Sequence, residues 1–151
     1  MQKSEEERSG QPADRAAREA GYQALADAER WASLGAGAPR FADRVAAADS
    51  AAAAHGRLVA GVRPQGPDGR LDEAEARVRP EDWWEALARA YHWQLLTALA
   101  YGVQLDPEPQ QWAADRLAEA AADPVLADRL ELVRRRLAGE ALVLRHALGT
   151  R

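Results

Sequence analysis

The sequence predicts an all-α protein built as one bundle of five main helices. Apolar residues recur at three- and four-residue intervals along most of the chain. Five prolines, Pro12, Pro39, Pro80, Pro107 and Pro124, each stand just ahead of such a segment. The chain is 151 residues long, 47% hydrophobic and 29% charged, which suits a single domain able to fold by itself.

Proline marks helix starts because the first turn has no partner for its N–H groups, so a residue lacking one costs nothing there. Residues 1–11 are too polar to join a core and are expected to be a disordered tail. The first helix, 12–34, lines one side with Ala17, Gly21, Ala24, Ala28, Trp31 and Ala32, a seam almost bare of side chains. The second, 39–60, offers Phe41, Val45, Ala48, Ala52, His55 and Val59. The short link from Ser33 to Ala38 forces the two into an antiparallel hairpin whose small residues let the backbones approach closely.

A flexible loop follows at about 61–79, punctuated by Pro64, Gly66, Pro67 and Gly69, with a short helix expected near 71–78. The third helix, 80–102, carries large apolar residues all round its axis and should therefore be the central, most enclosed one. The fourth, 107–122, buries Ala113, Leu117 and Ala120 or Ala121, with Trp112 at the edge. The fifth, 124–148, has a continuous stripe of Leu126, Leu130, Val133, Leu137, Ala141, Leu144 and Leu148, and Gly149 follows as its cap. Asp106 and Asp123 precede the prolines of the last two helices and can accept their free N–H groups.

Composition narrows the function classes. Alanine is about a quarter of the residues, so the core is thin between Leu, Val and five Trp. The net charge of −4 disfavours nucleic acid as a partner over long range, although a compact basic stripe could still bind a backbone. Without cysteine there is no disulfide, thiolate metal site or cysteine nucleophile. The acidic start, MQKSEEERSG, does not fit a signal peptide, and no run of apolar residues is long enough to span a membrane, so a cytoplasmic location is expected.

Three features could carry chemistry. Glu85, Arg89 and His92 form the polar strip of the third helix and could bind an anion or act as acid and base inside a pocket; a solvated face with a Glu85–Arg89 pair is the plainer reading. On the apolar side Gln94 needs partners, either Tyr91, Tyr101 or Thr97 in a core network, or a ligand in a cavity. His55, His92 and His146 lack the one-turn spacing of bundle metal sites, so neither metal nor cofactor is expected. Arg134-Arg135-Arg136 diverge by about 100° per residue; Arg134 and Arg145 share a side, as do Arg129 and Arg136, and two charges per stripe are a modest footprint for nucleic acid; Arg135 is expected to pair with Glu131. No phosphate loop or nucleophile motif is present, and nothing selects a catalytic pair of carboxylates.

The stretch Trp84 to Tyr91, followed by Leu105-Asp106-Pro107-Glu108, resembles the opening and close of a tetratricopeptide repeat. The interval holds one uninterrupted helix where a repeat needs a hairpin, so convergence on helix-packing residues accounts for it. The C-terminal third, Leu95 to Tyr101 and then Leu126 to Leu148, is similar to the helical small subunits of type III CRISPR effector complexes. That resemblance implies a stacked subunit lining a nucleic-acid groove. The chain departs from it in lacking the Gly-Leu break before the matching run, in its long hairpin before residue 60 and in its negative charge.

The leading expectation is a non-catalytic interaction module or accessory subunit whose partner is another protein or a second copy, with some of Trp31, Trp83, Trp84, Trp93 and Trp112 exposed as anchors. The alternative is a small-molecule-binding or enzymatic bundle with a pocket beside the third helix, lined by Trp84, Tyr91, His92 and Gln94. A nucleoprotein subunit using Arg134 and Arg145 is the third.

Overall fold

The computed structural model describes residues 12–60 and 74–149, with side chains placed over 20–57 and 74–146. It is all-α: α1 (Pro12–Ala36), α2 (Phe41–Ala60), α3 (Trp83–Tyr101), α4 (Pro107–Ala120) and α5 (Pro124–Gly149), with a single helical turn at 74–76. The expected tail at 1–11 and most of the expected loop, 61–73, lie outside the described residues. Its last part is packed, with Ala74 and Val78 both in the core.

α1 and α2 form the antiparallel hairpin, since Gly35 faces Ala47 while Gln23 and Asp27 reach Arg57. A methyl built on Gly35 would stand 3.2 Å from the Ala47 side chain, so the close approach near the turn depends on glycine. α3 lies in the middle and packs on α1, α4 and α5. α4 runs back along α3, and α5 then lies parallel to α3, with Arg129 beside Glu85 and Leu142 in the same groove as Leu99.

Two connected cores result. Trp93, Leu130, Val133, Leu137 and Leu144 fill the α3/α5 side, where the predicted stripe of the fifth helix is buried from Leu130 to Leu144 with Leu126 partly so, and the side chain of Leu148 lies outside the described residues. Trp31, Leu34, Leu87, Ala90 and Ala113 fill the other, and Trp84 and Leu117 pack against both.

Two helix starts differ from the proline rule. α3 begins at Trp83, because Asp82, with extended backbone, accepts from the Glu85 N–H at 2.9 Å and sets the first turn two residues beyond Pro80. α2 begins at Phe41, with its first helical bond running from Arg44 N–H to the Arg40 carbonyl. α3 ends at Gly102, in left-handed conformation at φ 70°, and the Val103 N–H returns to the Ala98 carbonyl at 2.8 Å.

The inward face of α2 is the main correction. Phe41, Val45, Ala48, Ala52 and His55 point outward, and the buried residues are Asp43, Ala47, Ser50, Ala51 and Ala54; the side chain of Val59 lies outside the described residues. Apolar periodicity failed because alanines occur on every side of this helix, while its polar residues find charged partners on α1 and α4.

Candidate functional site

The interior holds a polar hub. Asp27 on α1 is fully buried and accepts from Gln23 at 2.5 Å, from Arg30 at 2.6 Å and from Arg57 of α2 at 2.6 Å. Gln23 also donates to the Thr97 hydroxyl at 3.2 Å, and Thr97 donates to the Trp93 carbonyl at 2.8 Å. Arg30 Nε donates to Glu75 in the short turn before α3. Burial pushes the Asp27 carboxyl above its ordinary range, and the two guanidiniums pull it back. Burial works against the charge of Arg30 too, but Glu75 and Asp27 together hold that guanidinium above its usual value.

Two further charged groups pin helices together. Arg116 of α4 grips Asp43 of α2 through two bonds of 2.9 and 3.0 Å and lies over Trp84 and Trp83, 4.6 and 5.5 Å from the ring centres. Arg129 of α5 donates to Glu85 at 2.6 Å and to Asp82 at 2.5 Å.

These contacts disperse the residues singled out in the sequence. The strip Glu85, Arg89 and His92 is not solvated: Glu85 is buried and turned to Arg129, so the Glu85–Arg89 pair does not form. Arg89 bends toward Val78 and Glu75, and His92 is half-buried with its ring 5.0 Å from that of Tyr91. Burial holds the His92 imidazole below its usual pKa, with Arg134 pushing the same way and Glu131 opposing. Gln94 does join a core network, but through a donor not foreseen, the Trp31 indole N–H at 2.9 Å.

The tryptophans give no exposed anchors. Trp31 and Trp93 are wholly buried and Trp83, Trp84 and Trp112 half-buried, because they pack edge to face (Trp31 on Trp112, Trp83 on Trp84) around α3. Trp84, Tyr91, His92 and Gln94 line neither of the two openings beside α3; Trp84 and Tyr91 pack on the core around Trp31, which also holds Gln94. Arg134 is held by Glu131 at 2.6 Å, which also takes Arg135 at 3.3 Å as the sequence suggested and pulls the Glu131 carboxyl down to about 2. Among the described residues no group of three or more His, Asp and Glu side chains is placed to hold a metal ion, and no helix is long and apolar enough to cross a membrane.

Two openings beside α3 are shaped to receive something. The first, of about 360 Å³, lies between α1 and α3 and is lined by Arg30, Ser33, Glu75, Trp83 and Arg89, with Glu29 at its margin. Of the residues named in advance it uses Trp83 and Arg89. The second, of about 230 Å³, lies between the C-terminal halves of α3 and α5 and is lined by Leu96, Leu99, Ala100, Ala138, Ala141, Leu142 and Arg145. Leu99 and Leu142 are each 68% exposed at it. Sequence reasoning missed this groove, although Leu142 stood off the buried stripe of α5 and was the available signal.

Comparison of the sequence with family models and with curated proteins returns no match.

Proposed function

We propose that this chain is a non-catalytic helical interaction module, and that the α3/α5 groove receives the apolar face of an acidic helical segment from a partner protein. One observation carries this reading: Leu99 and Leu142, two large aliphatic side chains, flank an otherwise apolar groove while 68% exposed. Water-facing leucines in a contiguous trough gain free energy when covered, at about 25 cal/mol per Å² of apolar surface.

The charge around the groove selects the occupant. Ala138, Ala141 and Arg145 follow one another at three- and four-residue steps, so Arg145 stands at one end of the apolar strip, while Arg134 beyond the other end is bonded to Glu131. α5 as a whole carries five arginines against three carboxylates, within a chain of net charge −4. A helix with apolar residues at i, i+3 and i+7 and a carboxylate set to meet Arg145 complements that strip. Nucleic acid is served less well, because Arg134 already donates two bonds to Glu131 and the strip between the arginines offers no polar donor.

The reading is tested by panning a displayed library of 16-residue helical peptides against the chain and against Leu142→Asp, whose exposed position tolerates the change. Enriched peptides should share the apolar spacing with an acidic flank, and they should lose at least tenfold in affinity for the variant. Equal affinity for both proteins would refute the groove. A dimer in the ultracentrifuge that Leu142→Asp dissolves would replace the foreign helix by a second copy.

A further inference from the structure

We propose that the α1/α3 cleft is a second, separate site that binds a small organic carboxylate, its anionic end on Arg89 and its apolar body against Trp83. This inference does not depend on the groove.

The donor inventory of the interior arginines points there. A guanidinium has five N–H donors. Arg116 uses three in bonds to Asp43 and Glu119, and Arg30 is bound on both Nε and Nη1. Arg57 gives Nη2 to both Asp27 and Gln23, and although its Nε has no acceptor among the described residues it lines neither of the two openings. Arg89 makes a single long bond, Nη1 to the Val78 carbonyl at 3.4 Å, and its buried Nε has no acceptor among the described residues. The nearest carboxylate oxygen, on Glu75, is 3.8 Å from that Nε and is already bonded to Arg30.

Charge counting agrees. Among the described residues the connected interior group holds Arg30, Arg57 and Arg89 against Asp27 and Glu75, one positive charge more than the negative ones, and exposed Glu29 is the further carboxylate lining the cleft. Burial holds the Arg89 guanidinium below its ordinary value, and Arg30 adds to this while Glu75 opposes it. An anion placed in the cleft would put a countercharge beside the Arg89 guanidinium, where charge-assisted bonds are strongest.

The shape of the cleft sets the ligand class. A volume of about 360 Å³ falls at the lower end of small-molecule pockets, which run from about 300 to 1,000 Å³. Ala26, Leu34, Pro80, Trp83 and Ala86 give it an apolar wall, and the Trp83 ring is fixed by its N–H bond to the Leu34 carbonyl at 3.2 Å. Ser33 supplies a hydroxyl at the mouth. Glu29, exposed at the margin, repels a doubly charged phosphate more than a singly charged carboxylate.

The test is titration of the folded chain with indole-3-acetate, with benzoate and with inorganic phosphate, followed by ¹⁵N NMR of the arginine Nε–H groups. The carboxylates should bind saturably and shift the Arg89 Nε–H resonance. Arg89→Gln should weaken them at least tenfold, and Ser33→Phe, an exposed position that fills the mouth without touching the hub, should do the same. Absent binding, or binding unchanged in both folded variants, overturns the site. Phosphate bound at Arg89 in preference to the carboxylates overturns the ligand class.

Discussion

Asp43 and Arg116 sit almost wholly out of water, on two helices that share few large apolar side chains, and their pairing does part of the work a bulkier core would do. Removing one partner strands the other charge, which costs about 3–5 kcal/mol in such settings, while replacing both by apolar residues of similar volume is often neutral. Asp43→Leu alone should therefore lower stability by about 3 kcal/mol or more, and Asp43→Leu with Arg116→Met should recover most of it; urea unfolding of the parent chain and the two variants measures both. His92 gives a pH signature. Its folded pKa lies below the 6.5 of the free side chain, so the unfolded chain takes up the proton first as pH falls. Stability should decline on acidification through that window and level off once the folded ring also protonates. His92→Gln should flatten this slope in melting temperatures taken between about pH 5 and 7.5.

At the scale of the helix, capping decides where elements begin. Asp82 caps α3 and also receives Arg129, which keeps Glu85 as a second partner. Asp82→Ala should cost about 1 kcal/mol, a typical N-cap loss, and Asp82→Asn should retain most of it; the difference in denaturation midpoints separates the cap from the ion pair. The same motif explains what sequence reading could and could not see. The number and order of helices were legible because leucine spacing and prolines agree, most clearly in α5. Asp82-x-x-Glu85 was a legible cap overlooked in favour of Pro80. The inward face of α2 was not legible, since Asp43 and Arg57 point inward only because Arg116 and Asp27 wait on other helices. Arg89 was visible as a candidate, but its unmet donor depends on how Glu75 is shared, which no local pattern records.

Across the whole molecule, the tryptophans other than Trp83 and the paired interior ions serve packing, and the large apolar side chains left facing water are mainly aliphatic. Phe41 and Val45 on α2, Val125, Leu132 and Val143 on the outer side of α5, and Leu99 with Leu142 at the groove all face water. Among the described residues the last pair borders a concave, largely apolar trough with Arg145 at one end of its wall. The most direct measurement is ¹³C NMR of the methyl and aromatic side-chain groups of the chain titrated with a peptide from the panning experiment. Docking in the groove predicts shifts at Leu96, Leu99, Ala138 and Leu142 that saturate together, with Phe41, Val45, Val125 and Leu132 unmoved. Shifts confined to Phe41 and Val45, or to Val125 and Leu132, would contradict it and move the interface to another face.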